Sequence, residues 1–234
     1  MKKIFMIFIM MFFIILLTGC EKISYKKLFI NNEIVIKETI EQEKLNDSIT
    51  TSNTNLKSTK LLQVNMYFYN DYTELTAVLK YDKEKGILIY EYNQKYYEDS
   101  RYYEGSIYII DGISYNYQRV NLNEVKYKEE QDIQFIIDDK IPGYSVDYLT
   151  SEYILGYGQY SCGKDKYNNL AILFNVKKEY PQMFQCCHAL VIDGDRPIFF
   201  ADYFYGIMET YEFTYDNIEF DFPDLTGYEF KESE

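Results

Sequence analysis

From Leu61 onward the chain alternates apolar and polar residues, a pattern typical of β-strands that bury one face. The apolar members of the first two runs are Leu62, Val64, Met66, Phe68, Leu75, Ala77 and Leu79. Asn70-Asp71 separates the two runs, and these residue types favour turns. We therefore predict two adjacent antiparallel strands with one face half-buried.

Comparable patterns fill most of the remaining chain. Asp111-Gly112 lies between two apolar runs, and Asp-Gly readily adopts the positive φ angles of a two-residue hairpin turn. A further turn is predicted at 163–166, and Pro223 ends the last strand. The other predicted strands are 87–93, 106–110, 153–160, 169–176, 189–192, 197–203, 207–216 and 218–222. The predicted fold class is mainly β (α+β), with one large curved antiparallel sheet or half-barrel and one or two helices.

Three other segments have different patterns. Ile133, Ile136 and Ile137 share one face of a helix, so we predict a short helix within 131–140. Residues 24–45 fit both a helix and a strand, and we favour the helix. Residues 46–59 are nearly all polar, which predicts a loop.

The N-terminus has the features of an export signal. Lys2 and Lys3 precede fourteen apolar residues, Ile4 to Leu17. A helix of that length rises about 21 Å, which is less than the roughly 30 Å hydrocarbon core of a bilayer. The segment therefore indicates export rather than a permanent membrane span.

Leu17-Thr18-Gly19-Cys20 resembles a bacterial lipobox. This resemblance implies cleavage between Gly19 and Cys20, with diacylglycerol and a further acyl chain such as palmitate attached to Cys20. Two or three acyl chains anchor a protein stably, so the expected location is the cell envelope, on the outer face of the plasma membrane or on an outer membrane. The alternatives are an ordinary secretory signal and a buried helix that ends in cysteine.

The chain is thus divided into a cleaved signal peptide (1–19), a lipidated cysteine with an N-terminal helix and polar loop (20–60), and a β domain (61–234). Loss of Lys2 and Lys3 with the signal changes the formal charge from −13 to −15. Nucleic-acid binding depends on clustered Lys and Arg, so we expect no nucleic-acid partner. The expected partner is the membrane, and the oligomeric state stays open.

All 27 tyrosines follow the signal segment, and many lie on predicted strands. Either they fill ordinary strand positions, or they line a surface that receives an amphipathic ligand. The apolar positions that could contact such a ligand are Leu62, Val64, Met66, Phe68, Leu75 and Leu79.

Three segments, 189–200, 211–215 and 218–224, resemble the end of lipoprotein-carrier-type half-barrels. The resemblance implies an acyl-chain cavity covered by helices, and hence a lipoprotein that binds or carries a lipid-like apolar ligand. The alternative is a cell-envelope interaction module that presents a Tyr-rich sheet to a protein or glycan.

Three cysteines remain after Cys20, and we weigh a disulfide between Cys162 and either Cys186 or Cys187 against buried thiols. On an extended strand Cys186 shares a face with His188, which leaves a thiol hydrolase or a metal site as further alternatives. The spacing of a zinc site is missing, and so are the motifs of cofactor-binding loops. We therefore expect a non-enzymatic protein without catalytic residues, metal or cofactor.

Overall fold

The computed structural model describes residues 23–31, 33–39, 42–140, 160–174, 188–204 and 206–231. Within them, twelve strands form one antiparallel sheet, and three helices accompany it. The strands are β1 Ile36–Thr39, β2 Leu61–Tyr69, β3 Thr73–Asp82, β4 Ile87–Tyr96, β5 Tyr102–Ile110, β6 Ile113–Val120, β7 Asn123–Glu130, β8 Tyr160–Asp165, β9 Leu170–Phe174, β10 His188–Asp193, β11 Arg196–Phe204 and β12 Ile207–Thr214. The helices are α1 Tyr25–Ile30, α2 Gln42–Ser58 and α3 Ile133–Lys140. The predicted mainly β class and large curved antiparallel sheet are confirmed.

The sheet consists of two meanders. Strands β2 to β7 pair in chain order, as do β8 to β12, and β12 pairs with β2 to join the two sets. Strand β1 pairs with the outer side of β8. Because β1 and β7 are the two ends of the order, the sheet is not closed.

Different helices pack against the two faces of the sheet. We call the face that carries Leu62, Val64 and Leu79 the inner face, because apolar residues of α2 and α3 belong to the same core cluster. The opposite, outer face carries Asn65 and Tyr67, and α1 packs against its β11–β12 side. The alternation predicted from Leu61 therefore assigns side chains to the correct faces.

The Asp111-Gly112 turn is confirmed. Both residues have positive φ, 52° and 77°, and they join the paired ends of β5 and β6. The turn predicted at 163–166 is wrong, because β8 continues to Asp165 and the chain turns over residues 166–168. Asp165 fixes this turn, since its Oδ1 accepts hydrogen bonds from the amides of Tyr167 (2.8 Å) and Asn169 (2.9 Å).

The polar loop predicted at 46–59 is also wrong, because α2 spans Gln42–Ser58. Leu45, Ile49 and Leu56 form its apolar stripe and are at most 6% exposed. The sheet provides the partner surface that stabilises a helix of low intrinsic propensity. Ser52 is fully buried there, and its hydroxyl donates to the carbonyl of Ile49 (3.0 Å).

Residues 24–45 contain both of the structures that their pattern allowed. Helix α1 is followed by the short strand β1, and α2 begins at Gln42. The hydroxyl of Tyr25 donates to Asp165 Oδ2 (2.6 Å) and accepts from Asn169 Nδ2 (2.7 Å). This buried network attaches α1 to the turn between β8 and β9. The helix predicted within 131–140 is confirmed as α3.

The strand predicted at 218–222 is wrong, because residues 215–231 cross the outer face without joining the ladder, apart from one bridge. Phe222 packs edge-on against Tyr108 (6.2 Å between ring centroids), and Tyr228 does so against Tyr115 (5.6 Å). The segment ends beside β7, where the Lys128 amide donates to the carbonyl of Glu229 (2.8 Å). It thereby pairs with part of an edge strand that would otherwise be open.

Candidate ligand-binding site

The six apolar residues predicted to face a ligand all lie on the inner face. Strand register pairs Val64 with Leu79 and Phe68 with Leu75. Leu62, Val64 and Leu79 are fully buried in the core that includes α2, so their side chains have no surface left for a ligand. Only Met66, Phe68 and Leu75 remain partly accessible.

These three residues belong to a larger half-buried area that we call the inner band. Its apolar and aromatic members, which lie on β2 to β5 around the half-buried Gln94, are Met66, Phe68, Leu75, Tyr92, Tyr96 and Tyr103. Met66, Leu75 and Tyr92 pack against the margin of the core, and Tyr96 meets Tyr103 edge-on at 5.2 Å between centroids. The band therefore combines apolar side chains with aromatic rings that carry hydroxyls.

Tyr92 has an unusual position within the inner band. It pairs with Gly105 on β5, and its ring extends over the glycine toward β6, where its hydroxyl bonds Gln118. The same ring stacks on Tyr90, at 5.6 Å and 28° between planes. Burial raises the pKa of Tyr92. Sequence reasoning missed this arrangement, although a glycine in the interior of a strand often indicates close approach by another group.

A polar cluster adjoins the inner band on β10 to β12. His188 Nδ1 lies 3.0 Å from Asp202 Oδ1, and Asp202 pairs in register with Glu209. Glu209 in turn is the cross-strand partner of Phe68, and its Oε2 accepts from the hydroxyl of Tyr211 (3.1 Å). Burial raises the pKa of Glu209, and nearby Asp202 raises it further. The cluster can donate and accept hydrogen bonds and can hold a positive group.

The sequence interpretation did not include Asp202 or Glu209. Gly206 lies between β11 and β12, so a hairpin pairing about that point brings the two residues together. This signal was available, but a single glycine does not specify the register of a hairpin. His188 was considered a structural histidine, or a partner of Cys186, which lies outside the described residues.

The cysteine, signal-cleavage and metal predictions stand as follows in the structure. Cys162 is buried on β8, whereas Cys186 and Cys187 lie outside the described residues, so the disulfide stays a prediction. Gly19 and Cys20 also lie outside them. In the part of the chain that the structure describes, His, Cys, Asp and Glu side chains form no group of three able to hold a metal. None of the described helices is long and apolar enough to cross a membrane.

No protein-family model matches this chain, and no similar sequence is found among curated proteins.

Proposed function

We propose that this protein is a membrane-anchored, non-enzymatic bacterial lipoprotein that binds or carries a lipid-like ligand on the inner band. The observation that carries the proposal is the uneven cover of the inner face. Helices α2 and α3 join the core at the Leu62, Leu79 and Leu88 end, while Met66, Phe68 and Leu75 at the other end stay half-buried. A band of that composition suits a molecule with both apolar and polar parts.

Burial of an acyl chain would supply the binding energy. Each 100 Å² of apolar surface removed from water contributes about 2.5 kcal/mol. Chain-like ligands contact many residues at once, so a shallow band of six side chains can hold one without a deep pocket. The hydroxyls of Tyr92 and Tyr103 and the cluster of Asp202 and Glu209 provide polar partners at its borders.

The anchor supports this function, because a lipidated Cys20 would hold the domain close to its ligand. Tyr25 is buried in the domain and follows Cys20 by only five positions in the chain. An extended linker of that length spans at most about 18 Å. The proposed acyl chains would therefore keep the whole domain, and with it the inner band, within reach of one membrane.

The anchor has its own test. Cells that express the protein are fed an alkyne-labelled palmitate, and the label on the purified chain is measured. We expect label on the wild type and none on a Cys20→Ala variant, which should also keep residues 1–19. Equal labelling of both proteins would contradict lipidation at Cys20.

Ligand binding is tested with a fatty acid that carries a photoactivatable diazirine in its chain. After irradiation of the full-length protein in membranes, the cross-linked peptides are identified by mass spectrometry. We expect cross-links on β2 to β5, and roughly tenfold fewer in Leu75→Lys, where a charge enters the inner band. Thr76→Lys is the matched control, because Thr76 is the next residue and is exposed on the outer face. Equal loss in both variants would contradict the proposal.

A second candidate function is supported by exposed aromatic residues. Tyr69, Tyr72, Tyr97 and Tyr102 are 36–60% exposed at one end of β2 to β5. Tyr69 and Tyr97 meet edge-on at 6.4 Å, and the amide of Tyr97 donates to the carbonyl of Tyr72. Tyrosine is enriched in recognition surfaces, so this group favours a module that presents its sheet to a protein or glycan.

A further inference from the structure

Helix α1 and the C-terminal segment (residues 215–231) cover two sides of the outer face, and a groove lies between them. Helix α1 packs over the β11–β12 side through Tyr25 and Phe29, both against Phe199. The C-terminal segment crosses the other side, where Lys80 Nζ donates to the carbonyl of Glu219 (3.0 Å) and Phe222 meets Tyr108. The groove between these covers has a volume of about 310 Å³. That volume is at the lower end of the range for small-molecule sites.

Strand register explains the polar floor of the groove. Two adjacent rows of cross-strand partners run over β12, β2, β3 and β4. The first row is Glu212, Asn65, Val78 and Glu91, and the second is Thr210, Tyr67, Thr76 and Asn93. Val78 is the only apolar aliphatic side chain among these eight residues. Lys26 of α1 lies over the groove, with its Nζ 3.3 Å from the centroid of the Tyr67 ring.

Hydrogen bonds with neighbours fix the orientation of the floor. Asn93 Oδ1 accepts from the hydroxyl of Tyr102 (2.6 Å), and Asn65 Oδ1 accepts from Gln63 Nε2 (3.1 Å). Each amide therefore keeps its Nδ2 as a donor. Glu91 Oε1 accepts from the hydroxyl of Tyr108 (2.6 Å), which leaves Oε2 as an acceptor. Donors and acceptors thus stand side by side at positions set before any ligand arrives.

The exposed tyrosines adjoin this floor. The next row along the same face is Tyr69, Glu74, Lys95 and Tyr102. Tyr102 is bonded to Asn93, so an aromatic ring lies directly beside the polar groove. The groove and the tyrosines therefore form one continuous surface.

We propose that this outer groove binds a neutral oligosaccharide, with sugar hydroxyls on the amides and carboxylates and a sugar face on the exposed tyrosine rings. Interleaved donors and acceptors match a chain of hydroxyl groups, each of which donates and accepts. Glu91 and Glu212 outnumber Lys26 among the charged residues that line the groove, which disfavours phosphate and other anions, and Val78 is the one aliphatic side chain of the two floor rows. The site rests on the second candidate function, to which it gives a ligand class, and the side chains of its two floor rows lie on the opposite face of the sheet from the inner band.

The test uses the full-length protein purified in mild detergent, with cellotetraose, chitotetraose and maltotetraose as probes in isothermal titration calorimetry. We expect at least one of them to bind. Asn93→Ala should weaken that binding by about tenfold, since one donor and the Tyr102 contact are lost. Thr76→Lys, which places a long side chain in the groove, should abolish it. Asn123→Ala, an exposed position on β7, is the control and should bind as the wild type.

Two results would overturn the inference. One is that none of the three probes binds at millimolar concentration, and the other is that Asn93→Ala and Thr76→Lys bind as tightly as Asn123→Ala. Leu75→Lys separates this site from the inner band, because it should reduce fatty-acid cross-linking and leave saccharide binding unchanged. Thr76→Lys should instead abolish saccharide binding and leave fatty-acid cross-linking unchanged.

Discussion

The ring of Tyr92 occupies the space in which any other residue at position 105 would have its Cβ. A Cβ built on Gly105 would lie 2.5 Å from Cε1, Cζ and Oη of Tyr92. The backbone of Gly105 needs no positive φ, so its lack of a side chain is required by the ring alone. Aromatic cover of a strand glycine also protects a backbone that would otherwise be exposed.

Gly105→Ala should therefore destabilise the fold by displacing Tyr92 from Tyr90 and Gln118. We expect a loss of about 1–3 kcal/mol in the free energy of unfolding, measured with urea. In a double-mutant cycle with Tyr92→Ala, the second substitution should cost little once the ring is gone. Additive effects of the two changes would contradict the proposed contact.

The apolar stripe of α2 gives a second prediction. Ile49 is 1% exposed in the inner core, so Ile49→Ala should lower the free energy of unfolding by about 2–5 kcal/mol. Thr50 is the adjacent residue and is exposed, so Thr50→Ala should change it by less than about 0.5 kcal/mol. Equal effects of the two substitutions in urea unfolding would show that the helix does not pack as described.

These two sites also show how far the sequence alone could predict the fold. Alternation in β2 and β3 identified strands and faces, and Asp111-Gly112 identified the β5–β6 hairpin, because period-two burial and turn preference are local properties. Helix α2 was missed because its apolar residues are few and its Ser, Thr and Asn residues favour turns. Its stability comes from contact with strands far away in the chain, which no local pattern records.

The candidate sites were predictable only in part. The inner position of Met66, Phe68 and Leu75 followed from alternation, but the complete burial of Leu62 depends on α2. The polar cluster of Asp202 and Glu209 depends on hairpin register, and the outer groove depends on pairing between β12 and β2. Those two strands are distant in sequence, so their pairing leaves no signal in a single chain.

Buried tyrosines predict sensitivity to alkaline conditions. Burial raises the pKa of Tyr67 and Tyr108 to about 12 each, and it raises the pKa values of Tyr25, Tyr81 and Tyr215 further. The folded chain therefore keeps these protons at a pH where the unfolded chain loses them. The stabilising contribution of these tyrosines to the free energy of unfolding should be complete below about pH 10. It should be lost as the pH rises through their pKa values in the folded chain.

Tyr81→Phe is the direct check of this pH dependence. It removes one ionisable group with only a long hydrogen bond, 3.4 Å to the carbonyl of Thr59. We expect the alkaline fall in unfolding free energy to become shallower by about 1.4 kcal/mol per pH unit. The account fails if wild type and variant have the same slope between pH 10 and 12 in urea titrations.

The C-terminal segment should protect the β7 edge. Replacing Phe222 and Tyr228 by Ser removes two ring contacts on the outer face, so the hydrogen bond from Lys128 to Glu229 should open more often. Hydrogen exchange at the Lys128 amide should become at least about tenfold faster, a loss of about 1.4 kcal/mol in local stability. Leu122→Ser, at a residue 89% exposed, should leave this amide unchanged. Unaltered exchange in the double variant would mean that the segment does not hold the edge.

If the inner band holds a lipid-like molecule, that molecule should remain on the intact full-length protein purified under gentle conditions from an expressing bacterium. In native mass spectrometry we expect a non-covalent lipid mass on the wild type and on Thr76→Lys, in addition to any covalent anchor. We expect Leu75→Lys to lose that mass. A wild-type protein that carries no such mass, or a lipid mass retained by Leu75→Lys, would contradict lipid binding on the inner band.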